Sequence, residues 1–188
     1  MAVFPAAPEG WDPDQTTDIG GAIWDAITGG AQFDGLDYPT QLADLIEWGH
    51  GRVRPTARAL GVPYSTFRGW LHGVIPKAAS RDRITLAHRN LIGGGSEALA
   101  GLARGGATLK AVAKLGGENR SSPFYVGRST WDGANAGESM ASQLVGAFLA
   151  GASPYELGAV YGSGMTSTVG YMDELDILDV EWFSFDPM

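Results

Sequence analysis

The sequence predicts an α+β protein: an all-helical helix-turn-helix module followed by a small α+β domain in the order strand, strand, helix, helix, strand. Three observations predict it. Apolar residues recur at spacings of three and four as far as Ile92, and ATLKAVAKLGG then switches to a period of two. The closing LDILDVEWFSFD is dense in β-branched and aromatic residues, as a strand requires.

The first 16 residues read as a polar, proline-containing lead. In DIGGAIWDAITGG, residues Ile19, Ala22, Ile23 and Ala26 share one helical face, and Gly29-Gly30 closes the helix. A second helix begins near Pro39, with Leu42, Leu45 and Ile46 as its stripe. Pro55 suits the first turn of a short third helix ending at Gly61, because a missing amide hydrogen costs nothing there. Gly61-Val62-Pro63 makes a turn, a fourth helix runs from about Tyr64 to His72, and Gly73 stops it. A fifth, AASRDRITLAHRNLI, places Ile84, Ala87, His88 and Leu91 together. Between Ile92 and Gly106 six of fifteen residues are glycine, which reads as a linker.

Beyond it, ATLKAVAKLGG sets Leu109, Ala111, Ala113 and Leu115 against Thr108, Lys110, Val112 and Lys114. SPFYVGRSTW is its expected neighbour, through a turn over Gly116 to Ser122. Asn135 with Glu138 reads as a capping box before a helix carrying Met140, Leu144, Ala147 and Phe148. Ser153-Pro154-Tyr155-Glu156 is a stronger helix start, joining an N-cap, a first-turn proline and a reciprocal glutamate. The expected organisation is an acidic N-terminal extension with one helix (1–36), a helix-turn-helix domain (37–92), a linker (93–106) and an α+β domain (107–188).

Composition narrows the function. The 188 residues contain no cysteine, which excludes disulfides, thiolate zinc sites and cysteine nucleophiles. MAVFPAAPEGWDPDQ lacks a basic start and an apolar run, and no stretch approaches the roughly 18 apolar residues of a membrane span. A cytoplasmic, nucleoid-associated protein without membrane contact is the expectation. Twenty-eight glycines, about twice the usual share, imply short elements joined by tight turns.

The net charge of −8 hides a strong asymmetry. All thirteen Lys and Arg residues lie between Arg52 and Arg128, where only Asp82, Glu97 and Glu118 oppose them. Nine acids precede that span and nine follow it, with no Lys or Arg in either flank. A local basic field between acidic ends points to a polyanion, because phosphate contact depends on the field at the site and not on the total.

ARALGVPYSTFRGWLHGV has the parts of a helix-turn-helix. Ala57 or Ala59 allows close crossing, Gly61 takes the left-handed turn, and Val62, Phe67, Trp70 and Leu71 pack the second helix. Tyr64, Ser65 and Arg68 then point outward as base or phosphate contacts, and Thr66 serves phosphate contact or helix support. Arg52, Arg54 and Arg58 flank the motif and would hold the DNA backbone, joined by His72, Lys77, Arg81 and Arg83. Gly69 is costly inside such a helix, and Pro63 stands where a capping serine is common.

Other chemistry is thinly represented. Asp173, Glu174, Asp176, Asp179 and Glu181 form one acidic run, whereas a cation site draws oxygen ligands from separated segments; they read as a solvated strand face. His72 and His88 read as polar positions near the phosphate surface, and His50 as a helix-end residue; none has metal-site companions. Gly93 to Gly95 is not followed by the GK[ST] of a phosphate loop. Neither a cofactor, a metal nor a catalytic triad is expected. A transcriptional regulator with a dimerisation or sensing domain, and a phage DNA-packaging or assembly protein, fit the same layout, and a homodimer is compatible with it.

From about Thr56 to Asp186 the layout resembles the telomere-protecting terminal proteins of linear actinobacterial replicons. The resemblance is carried by ARALGVPYSTFRGWLHG, ATLKAVAKLGG and DILDVEWFSFD. It implies a DNA-binding module preceding a domain used in protein-primed replication of DNA ends, with a DNA polymerase or telomere-associated protein as partner. It also implies no enzyme activity of the chain's own, but a hydroxyl that accepts the first nucleotide, with Thr108 and Thr130 as the candidates. The sequence departs from that pattern in having few arginines in its second half and an acidic N-terminal extension.

Overall fold

The computed structural model describes residues 19–31, 33, 37–115, 118–126, 140–168 and 175–186. They form a mainly helical α+β fold with two apolar cores. The elements, in chain order, are α1 (Ile19–Thr28), α2 (Tyr38–Trp48), α3 (Val53–Ala59), α4 (Tyr64–Leu71), α5 (Ala78–Ile92), α6 (Ser96–Arg104), β1 (Gly106–Leu115), β2 (Glu118–Val126), α7 (Met140–Leu149), α8 (Pro154–Thr168) and β3 (Leu175–Asp186). The expected helix start at Asn135 and Glu138 lies outside the described residues, as does the acidic run's Asp173 and Glu174.

The first core is built by α2 to α5. Leu42 and Leu45 of α2 meet Ala57, Leu60, Phe67, Trp70 and Ile84. Asp37 caps α2, its carboxylate accepting from the Thr40 amide at 3.0 Å, which occupies one of the amides a helix start leaves open. α3 ends where the Val62 amide donates to Ala57 O and the Gly61 amide to Arg58 O, both at 3.0 Å. That paired closure requires a left-handed residue, and Gly61 supplies it at φ +67°. α2 ends the same way with His50 in the left-handed position, at φ 55°.

The second core lies where α1, α7 and α8 meet the sheet. Ile23 and Ile27 of α1 join Leu99, Leu109, Leu144, Phe148, Leu157, Tyr161 and Phe183. The sheet order is β2-β1-β3, antiparallel throughout, with Leu109 opposite Phe124 on one side and Phe183 on the other. Leu115 pairs with Glu118, so only Gly116 and Gly117 separate the strands, and Ser121 and Ser122 belong to β2 rather than to a long turn. At the start of β1, Ala107, Thr108 and Leu109 are all buried, so both sheet faces are covered and the alternation read from sequence does not separate core from solvent there.

Two readings change with the tertiary structure. α1, expected in an N-terminal extension, packs on α8 and β3 and so completes the second core. Its approach to α8 is close: a Cβ on Gly158 would stand 3.3 Å from the Gly20 amide nitrogen. The glycine-rich stretch expected as a linker contains α6, whose Leu99 is buried and which packs on α7. Five of its six glycines lie at the two ends, and Gly101 alone stands inside SEALAGLAR, which is helical despite it.

Candidate nucleic-acid interface

α3 and α4 present the residues in question. Phe67 and Trp70 are buried, with ring centroids 6.0 Å apart, and fasten α4 to the first core. One turn of helix carries their neighbours to the other side: Tyr64, Ser65, Thr66, Arg68 and His72 are exposed. Arg52, Arg54 and Arg58 are exposed around α3, and Lys77, Arg81 and Arg83 at the start of α5.

Two of these residues are brought into contact by the turn. The Arg54 guanidinium carbon stands 5.0 Å from the centroid of the Tyr64 ring, a cation–π arrangement that orients both. The Arg52 Nε donates to Gly49 O at 3.3 Å. Among the described residues no carboxylate pairs with any of these seven cations; the carboxylate of Asp44 instead meets His88 Nε2. α4 begins after Pro63 without a side-chain cap, so its first-turn amides are not occupied by a capping side chain.

His88 is not at this surface. It is 1% exposed and its Nε2 lies 2.8 Å from Asp44 Oδ2, clasping α5 to α2 beside a Thr85 hydroxyl that donates to Gln41. The apolar stripe of α5 carries it inward with Ile84. Arg89, one of the thirteen cations of the basic middle, is also withdrawn, at 2% exposed. Its guanidinium sits against Trp24, Phe148 and Phe33, and Nη2 donates to Gly151 O at 3.3 Å. Burial pushes its pKa down to about 10, opposed by the field of Glu156. Periodicity alone offered no signal for this, because the aromatic rings come from distant segments.

The two candidate acceptor hydroxyls fare differently. Thr108 is fully buried in the central strand, opposite Tyr125 and Ser184. Thr130 lies outside the described residues. Behind α3, a cavity of about 820 Å³ opens between the ends of α2 and α5, lined by Leu45, Trp48, Thr56, Leu60 and Leu91 with Arg52 among its polar residues. No group of three or more His, Asp or Glu that could hold a metal ion, and no helix long and apolar enough to cross a membrane, occurs among the described residues. No family model, curated protein or solved structure matches the chain.

Proposed function

We propose that this protein binds double-stranded DNA, using α3, its glycine turn and α4 as a helix-turn-helix. The observation that carries the reading is the division of α4: Phe67 and Trp70 anchor it while Tyr64, Ser65, Thr66 and Arg68 are exposed beside unpaired cations. Unpaired cations keep their charge available, and each phosphate they neutralise releases condensed counterions. Tyr64, Ser65 and Arg68 would enter the major groove helix N-terminus first, where uncapped amides suit a phosphate. Arg52, Arg54, Arg58, His72, Lys77, Arg81 and Arg83 would hold the backbone, with Thr66. Nucleoid association follows from such binding.

The test is fluorescence anisotropy of a labelled mixed-sequence duplex over a salt series. Affinity should fall steeply and linearly in log salt. Binding that is absent, or indifferent to salt, sinks the proposal.

Of the biological roles, a transcriptional regulator is favoured by the burial of Thr108, since an acceptor hydroxyl must reach a polymerase active site. The terminal-protein role then falls to Thr130. Intact mass of natively produced protein after nuclease digestion separates the two: a residual nucleotide restores the terminal-protein role, and an unmodified mass removes it. A large ring on sizing would point instead to packaging or assembly.

A further inference from the structure

At the end of α4 and just beyond it the chain displays apolar side chains that base and phosphate reading leave unused. Leu71, Val74 and Ile75 are 40%, 58% and 71% exposed. The tip they form is held firmly. The Gly73 amide donates to Trp70 O at 3.1 Å and the Val74 amide to Gly69 O at 2.9 Å, the paired closure of a helix end, with Gly73 at φ +91°. Val74 folds back over Gly69, its Cγ2 3.5 Å from where a Cβ would stand. Buried Pro76 confines Ile75 to extended backbone. Two β-branched side chains are thereby fixed in water, an arrangement that gains free energy only when something covers them.

Charge decides what that is. Arg68 and His72 precede the tip, Lys77, Arg81 and Arg83 follow it, and all are exposed. Asp82 is the one acid in this stretch. A second copy on a two-fold axis would bring these cations against themselves. Three partly exposed aliphatic side chains also offer only a few hundred Å², short of the ~800 Å² per partner that a stable dimer buries. DNA satisfies both features, its phosphates taking the cations and an opened base step taking the tip. We propose that Val74 and Ile75 form a wedge that enters a base step next to the groove occupied by α4 and kinks the duplex. The wedge rests on the DNA-binding reading and adds deformation to it, so flexible TA and CA steps are the preferred sites.

The experiment uses the full chain, duplexes rich in TA and CA steps carrying a dye at each end, and 2-aminopurine beside one such step. Wild type should shorten the end-to-end distance by energy transfer and raise 2-aminopurine fluorescence on binding. Ile75→Ser, at a position exposed enough to leave the melting temperature unchanged, should bind with the same salt slope while losing most of both signals. Val74→Ser with Ile75→Ser should abolish them and weaken affinity on the order of tenfold. Wild type that binds without bending or unstacking overturns the wedge and leaves the DNA-binding reading intact. Wild type that does not bind removes both. A concentration-dependent dimer of wild type that Ile75→Ser dissociates assigns the tip to a second copy and overturns the wedge as well.

Discussion

The guanidinium carbon of Arg89 lies 4.4 Å from the centroid of the Trp24 ring, so a cation on α5 is held against an aromatic face of α1. Phe148 of α7 closes on it at 4.9 Å. Its Nε and Nη1 have no hydrogen-bond partner among the described residues. The two cores are thus joined through a buried charge whose compensation comes from ring faces and one carbonyl rather than a contacting carboxylate. Removing a buried cation while leaving its cage creates a void, whereas replacing it by an apolar chain of similar length also removes the desolvation cost. Arg89→Ala should lower unfolding free energy by about 3 kcal/mol in urea titrations, and Arg89→Met should recover most of that. An alanine variant as stable as wild type would show that the cage does not tie the cores.

Helix caps set the acid limb of stability. Glu156 accepts from the Ser153 amide at 2.7 Å and hydroxyl at 2.8 Å, and these bonds, the amide first, hold its carboxyl below the ordinary 4.5. The Thr40 amide does the same for Asp37, below 3.8. A carboxylate with a depressed folded pKa stabilises fully above its unfolded value and loses that contribution as pH falls through the folded one. The melting temperature should therefore be flat above about pH 5 and fall below it. Glu156→Gln and Asp37→Asn, measured across the same range, should each flatten part of that fall; unchanged profiles would dissociate the caps from acid sensitivity.

A glycine at the end of α5 and one inside α4 should respond oppositely to alanine. At Gly93 a Cβ would meet Leu99 Cδ2 at 2.7 Å and Arg89 O at 3.1 Å, and Leu99 is buried and cannot step aside. At Gly69 the nearest atom is Val74 Cγ2 at 3.5 Å, an ordinary contact. Gly93→Ala should destabilise by about 1–3 kcal/mol through overpacking. Gly69→Ala should stabilise by up to about 1 kcal/mol through helix propensity. Chemical denaturation of both, with wild type alongside, checks the sign of each.

The proposed interface makes a quantitative claim on salt dependence. Arg58 and Arg68 are exposed and, among the described residues, without a carboxylate partner, so their loss should leave folding untouched. Replacing both with alanine should reduce the slope of log affinity against log salt by roughly 2 if each contacts one phosphate. A double variant with the wild-type slope would place the DNA elsewhere.

Much of the helical half was legible because its signals act over a few residues. Gly61 between an apolar stripe and a proline predicts the turn, and the spacing of Phe67 and Trp70 predicts which side of α4 is buried. Ser153 and Glu156 predict the cap that forms. The reading of 93–106 overlooked α6 because glycine content outweighed the three- and four-residue spacing of Leu99, Leu102 and Ala103. His88 was misplaced because a polar side chain on an apolar stripe is buried only when a partner such as Asp44 waits in another helix.

By itself the sequence determined roughly where α1 to α5 begin and end, though it missed α6, and that Phe67 and Trp70 lie on the buried side of α4, though it expected Leu71, which is 40% exposed, to pack with them. It also determined that the cations gather in the middle of the chain. Those properties follow from hydrogen bonds closed within about five residues and from periodicity along one element. Only the tertiary structure decided that α1 completes the second core, that Thr108 is buried, that Arg89 is withdrawn from the basic surface, and that Val74 and Ile75 stay outside. Each of these depends on which distant segment covers a given side chain, and burial is a property of the assembled chain that no local pattern carries.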